Sequence, residues 1–279
     1  MKTLTQLKAH ISNLARKSGV KPEVLYRHYM LERFLKRLSL SRYKSNFVLK
    51  GGLLIAYVVG IESRGTMDLD GTIRNYPVTE DKLREMLADI IAVPADDSIA
   101  FVLNKIEPIM LEHSYECLRV NMTATFENMR VPVKLDISTG DVITPRPVEF
   151  RHKLMFSEEQ IEILAYNLET VLAEKVEAII SRNITGTRMR DFYDVFILTK
   201  LQKDNINFDL WKTALQATSE RRNTAKIIEN AARIMVDIKA SDDLQKLWQS
   251  YTANYDYAKD VNWEDVCVAL DEILLHYLR

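Results

Sequence analysis

Three aspartates and a pair of glycines are the residues of this chain best suited to handling a phosphoryl group. Asp68 and Asp70, in RGTMDLDGTI, are two residues apart. On a strand, residues i and i+2 share a face, so both carboxylates project the same way. Carboxylates held that close repel unless a cation lies between them. Magnesium suits them, because it takes hard oxygen ligands and commonly bridges to substrate phosphates. Gly51 and Gly52 follow the apolar Phe47-Val48-Leu49 and open the apolar run from Leu53. A glycine turn from strand into helix exposes backbone N–H groups to an anion, and the helix dipole favours negative charge there. Asp136, in VKLDIS, falls on the polar side of an alternating strand and would complete a three-carboxylate, two-metal site. Each feature also has a plainer reading. Asp68 and Asp70 equally suit a solvated strand end, the glycines a tight turn, and Asp136 an exposed pair with Lys134.

Such residues need strands and a helix to position them. The spacing of apolar residues predicts amphipathic helices over 1–17 and 21–38, parted by Ser18-Gly19, with Pro22 in the second helix's first turn. A strand over 47–49, a buried helix over 53–60 and a strand over 66–73 follow. Thr79 then reads as the N-cap of a helix over 80–91. From Ile99 the period becomes two. Leu118, Val120, Met122 and Ala124 alternate with polar residues, and so do Val131, Val133, Leu135 and Ile137 beyond a turn at Glu127-Asn128. That is a hairpin with one apolar face. Ser157 with Gln160 predicts a capping box before a helix over 161–182. Further helices are expected over 188–201, 210–218, 224–239, 244–255 and 263–278. The fold class is α+β. The segment 144–152 marks the expected boundary between a domain over 1–148 and a helical domain over 149–279.

Hydrophobic residues make up 47% and charged residues 28% of the 279, which is globular composition and excludes a disordered chain. The run Leu53 to Ile61 is too short to span a bilayer. Polar residues follow Lys2, so no export signal is expected and the chain reads as cytoplasmic. Cys117 and Cys267 match no metal-ligand spacing and read as buried, reduced thiols. His10, His28, His113, His152 and His276 are scattered, and none is marked as a general base. Between residues 21 and 60, Lys21, Arg27, Arg33, Lys36, Arg37, Arg42, Lys44 and Lys50 face only Glu23 and Glu32. This +6 segment would attract polyphosphate or nucleic acid, or form a solvated helix face.

A glycine pair, a helix, D-x-D on a strand and a third Asp on a later strand resemble the polymerase-β-like nucleotidyltransferase superfamily. Gly51-Gly52 stands where that pattern usually has Gly-Ser. A narrower resemblance covers nearly the whole chain. YMLERFLKRLSLSRYKSNFVLKGGLL, RGTMDLD, VKLDISTGD, LETVLAEKVEAII and RMRDFYDVFIL together resemble the AbiEii/AbiGii family of bacterial toxins. The resemblance implies an N-terminal nucleotidyltransferase domain with a mixed sheet, and a helical domain that completes the active-site cleft. It puts Gly51 and Gly52 at the phosphate turn and Asp68 and Asp70, with Asp136, at two magnesium ions. It puts Lys175 on a helix facing the nucleotide phosphates, with Arg190 and Asp191 joining from the next helix.

The residues themselves leave alternatives open. Lys175 lies among Val171, Leu172, Val176 and Ile179 and either snorkels to solvent or meets a buried anion. Arg188, Arg190, Asp191 and Asp194 equally suit a surface salt-bridge cluster. A short turn between the two helices should bring Lys175 near Arg188 and Asp191. The implied activity is transfer of a nucleoside monophosphate from an NTP to an acceptor hydroxyl, the tRNA 3′ end in the first reading, which would block translation. A protein hydroxyl as acceptor, or a non-catalytic nucleotide- or partner-binding scaffold, is the alternative. The resemblance further implies the toxin half of a toxin–antitoxin pair associated with phage defence, with a separate antitoxin protein; a monomer is expected.

Overall fold

The computed structural model describes residues 3–111 and 115–278. His113 lies outside the described residues. The elements run α1 (Leu4–Ser18), α2 (Pro22–Leu40), β1 (Phe47–Lys50), α3 (Gly51–Val59), β2 (Asp68–Ile73), α4 (Glu80–Ala92), β3 (Ile99–Leu111), β4 (Tyr115–Phe126), β5 (Met129–Thr139), β6 (Val148–Lys153) and β7 (Gln160–Ala165). Helices α5 (Leu168–Arg182), α6 (Met189–Gln202), α7 (Phe208–Arg221), α8 (Ala225–Ile228), α9 (Ala231–Ala240), α10 (Asp242–Asn254) and α11 (Trp263–Leu278) follow. The chain divides into two compact units, Met1–Asp141 with Pro147–Ala165, and Val142–Arg146 with Tyr166–Arg279.

The first unit is an α+β layer on one seven-stranded mixed sheet, ordered β3-β4-β5-β2-β1-β7-β6. Strand β1 runs antiparallel to β2 and parallel to β7, while β2 runs parallel to β5. Helix α2 packs against β5, β7 and α4. Leu25, Tyr29, Met30, Phe34, Leu35 and Leu38 of α2 are all buried, each contributing about 2 kcal/mol of apolar burial. Thr79 accepts from the Lys82 amide and caps α4, as its position predicts. The hairpin between β4 and β5 turns at Glu127-Asn128, with Phe126 opposite Met129.

Residues 148–165 overturn two expectations. Instead of a helix from 161, Gln160–Ala165 is a strand paired in parallel with β1, and Val148–Lys153 pairs with it as a hairpin. The period is two: Ile161, Ile163 and Ala165 are buried while Gln160 is exposed. Burying that face in the core beside α2, with the strand paired to β1, outweighs a capping-box pattern, which is short-range and weak. The Ser157 hydroxyl instead accepts from the Glu159 amide inside the hairpin turn. The true helix start is Asn167, whose side chain accepts from the Thr170 amide. Residues 149–165, expected in the helical domain, fall in the first unit with the sheet.

The second unit is helical. Helix α5 is its centre, packed against α6, α7, α8 and α9. Its buried Val171, Leu172, Val176, Ile179 and Ile180 share a core with Trp211, Ala214 and Leu215 of α7. The helix expected over 224–239 is broken in two, with Glu229 and Asn230 lying between α8 and α9. Among the described residues no helix is long and apolar enough to cross a membrane.

Candidate active site

In the first unit the charged residues form rungs across the sheet. Parallel pairing sets Asp70 opposite Asp136 and Asp68 opposite Lys134. Antiparallel pairing extends the first rung, with Lys50 beside Asp70 and Arg119 beside Asp136. Register partners project from the same face, so Lys50, Asp70, Asp136 and Arg119 form one charged line.

Their pairings differ in kind. Arg119 grips Asp136 with both arms, Nε to Oδ1 and Nη2 to Oδ2, each at 2.8 Å. Hydrogen bonding to Asp136 raises the Arg119 pKa further above its usual value. Lys134 Nζ reaches Asp68 Oδ2 at 3.0 Å through a single contact. Lys50 pairs with Asp141 just beyond the end of β5, and the Ser138 hydroxyl donates to the same carboxylate. Cys117 is fully buried nearby; burial pushes its thiol up to about 12, so it stays protonated and is not a nucleophile.

The glycine turn is built around Asp70. Gly51 has φ +67°, and a Cβ there would meet Asp70 Oδ2 at 2.1 Å. Only glycine fits both the left-handed backbone and the approaching carboxylate. The Gly52 amide at the start of α3 donates to Asp70 Oδ2 at 3.2 Å, a favourable place for a negative charge. A Cβ on Gly52 would lie 3.1 Å from Arg64 Nη2 and from Thr66 Oγ1. Arg64 is fully buried, and its Nη1 donates to the Gly65 carbonyl. The space a serine would need is thus filled by Arg64 and Thr66.

In the second unit Lys175 is bound to two buried carboxylates. Its Nζ lies 2.7 Å from Asp191 Oδ1 and 2.9 Å from Asp194 Oδ2. Burial alone would lower its pKa, but the two aspartates outweigh that and the pKa is raised. Asp191 also faces Arg188 at 3.4 Å and Arg182 at 3.6 Å. Arg190 is exposed, and with Arg188, Tyr251 and Tyr255 it lines an open cavity of about 380 Å³.

A family model described as "Nucleotidyl transferase AbiEii toxin, Type IV TA system" matches residues 33–272. The chain belongs to the AbiEii nucleotidyltransferase toxin family. No curated protein matches it. Among solved structures, a candidate nucleotidyltransferase from H. pylori is 17% identical over 93% of this chain and 96% of its own, with a TM-score of 0.50. JHP933 from Helicobacter pylori is 19% identical over 93% of this chain and 94% of its own, also with a TM-score of 0.50. At these identities the likeness shows the fold.

Within this AbiEii chain the structure brings Gly51, Gly52, Asp68 and Asp70 together, and Lys175 with Asp191. Asp136 takes its expected place on the rung, but both its oxygens are held by Arg119, not by Lys134. Among the described residues no three His, Cys, Asp or Glu side chains gather closely enough to hold a metal ion. Asp68 and Asp70 do fit a divalent ion: they offer hard oxygen donors on one face, and a lysine already stands as the cation at Asp68.

The +6 segment proves to be largely neutralised. Arg27 pairs with Glu23, Arg33 with Glu32, Lys36 with Glu159, Arg37 with Asp97, Arg42 with Asp89, Lys44 with Glu162 and Lys50 with Asp141. Most of these partners are remote in sequence, which is why local charge counting overstates the patch. Arg64, Arg119 and Asp141 were not marked as site residues by the sequence. Arg119 had one signal, its place on the polar face of the strand beside Asp136.

Proposed function

We propose that this AbiEii toxin transfers a nucleoside monophosphate from an NTP to an acceptor hydroxyl and releases pyrophosphate. Family membership supports the reaction class, and one observation carries the site: the Gly51-Gly52 turn closes directly onto Asp70, with Asp68 on the same strand face. Magnesium, when bound, would neutralise the triphosphate and lower the pKa of the attacking hydroxyl. Asp68 and Asp70 would hold it, with the Gly52 amide fixing Asp70 and the dipole of α3 favouring negative charge at the helix start. Lys175, with Arg190 and Asp191, is assigned to the same reaction by the family resemblance, as the source of a fixed cation for the phosphates. Asp136 is bound to Arg119 and is assigned an electrostatic role on the rung.

The tRNA 3′ end is the proposed acceptor, and this part rests on the resemblance alone, because the neutralised basic segment adds no electrostatic support for RNA. A protein hydroxyl is the second reading. Incubating the protein with labelled NTPs, magnesium and total cellular RNA and protein tests both. Label at the 3′ end of small RNA supports the first reading, and label on a protein band replaces it with the second. Absence of label in both fractions contradicts the reaction class.

A further inference from the structure

We propose that Lys134 is a built-in counter-cation that occupies the divalent-ion position at Asp68 and must be displaced when an ion binds there. The inference rests on the metal-dependent reading above and goes beyond it by naming the group with which the ion competes.

Lys134 and Asp68 are register partners on adjacent parallel strands, so the ammonium and the carboxylate leave one face of the sheet together. Their separation is 3.0 Å, with 32% and 30% of the two side chains exposed. A single ammonium–carboxylate contact this exposed is weak, because solvent screens it and a flexible four-carbon stem must be held in place. Arg119 is as exposed as Lys134, at 34%, but its pair with Asp136 differs in geometry and in the burial of the carboxylate. That contact is bidentate, and the carboxylate is 15% exposed. Both contacts are charge-assisted, but the fork makes two parallel bonds in a fixed geometry where the ammonium makes one. An incoming ion therefore displaces Lys134 from Asp68 before it draws Asp136 away from Arg119.

The charge balance of the face explains why a lysine is placed there. Asp68, Asp70, Asp136 and Asp141 stand against Lys50, Arg119 and Lys134. Without Lys134, Asp68 and Asp70 would share one strand face with only the more distant Arg119 acting on Asp68, which costs stability. Lys134 thus lets the ion-free protein fold with Asp68 neutralised, and it sets how much affinity an ion needs to enter. It is a positioning residue, acting through Asp68.

The test is Mn2+ binding, measured by calorimetry, for the wild-type chain and for Lys134→Met, Lys134→Arg and Asp70→Asn, with thermal unfolding of each. The expected result is that Lys134→Met binds Mn2+ about fivefold more tightly, the equivalent of about 1 kcal/mol for removing the competing contact. Lys134→Arg should bind Mn2+ no more tightly than wild type, since it keeps a cation at Asp68. Lys134→Met should also unfold at lower temperature without metal and gain more from Mn2+ than wild type does, which a purely structural lysine would not produce. Binding that is lost in Asp70→Asn but unchanged in Lys134→Met overturns the counter-cation inference and leaves the metal site intact. Absence of Mn2+ binding in both wild type and Lys134→Met overturns the metal-dependent reading and the inference together.

Discussion

Asp70 and Asp136 are register partners on adjacent parallel strands, and Lys50 and Arg119 continue that rung on either side. Two carboxylates therefore sit side by side with a cation beyond each. They are used differently: Asp70 closes the glycine turn through the Gly52 amide, while Asp136 is gripped by Arg119.

The first prediction concerns that division. Arg119→Met leaves Asp136 without its bidentate partner and should lower stability by about 1–2 kcal/mol, given partial exposure of the pair. The Asp136→Asn, Arg119→Met double variant should recover part of the loss. Urea denaturation of the two singles and the double gives the coupling energy. A coupling near zero would remove the pair from the account of the rung.

Gly52→Ser, the change toward the superfamily's Gly-Ser, should not improve this protein. The added side chain would press on buried Arg64 and Thr66 at 3.1 Å. A loss of about 1–3 kcal/mol in urea denaturation is expected, as for other overpacked positions. A neutral or stabilising result would show that the turn relaxes freely.

The turn and the pair of aspartates were legible because their signals are local. Glycines bounding a strand and a helix, and i, i+2 carboxylates, need only nearby backbone geometry to be read. The alternation in 118–125 and 131–138 marked the hairpin for the same reason. The short apolar stretch from Ile161 was ambiguous, and a capping-box pattern at Ser157 and Gln160 tipped it wrongly toward helix. Pairing with β1, more than a hundred residues earlier, decided it as strand. The partners of the basic segment, such as Asp97, Asp141 and Glu159, are likewise fixed by tertiary packing that spacing does not encode.

Lys175 should prove structural as well as functional. Replacing it with Met leaves Asp191 and Asp194 buried beside a lost cation, at 4% and 0% side-chain exposure. Stability should fall by about 3–5 kcal/mol. Activity of Lys175→Met must therefore be read beside its unfolding curve. A variant that keeps wild-type stability would contradict the ion triad.

The pH dependence of stability should carry a contribution from His28. Its ring is buried, and Nε2 donates to the Thr66 carbonyl at 2.9 Å. Burial lowers its pKa from the ordinary 6.5 to about 4, with the carbonyl opposing and His152 and Arg64 adding to the shift. Between these values the unfolded chain binds the proton and the folded chain does not. His28 thus contributes full stability above pH 6.5, and that contribution is lost as pH falls toward 4, by about 3 kcal/mol in total. Urea unfolding at pH 7 and pH 4.5 should show a shallower pH slope for His28→Gln than for wild type. Equal slopes would place the proton uptake elsewhere.

The central claim is that Asp68 and Asp70 carry a metal-dependent nucleotidyl transfer, and pyrophosphate release tests it most directly. Wild type and Asp68→Asn, matched for folding by circular dichroism and thermal unfolding, would be supplied with NTPs, magnesium and total cellular RNA and protein. The account predicts release by wild type that chelation abolishes, and a loss of about a hundredfold or more in Asp68→Asn. A folded Asp68→Asn protein that releases pyrophosphate at the wild-type rate would contradict it.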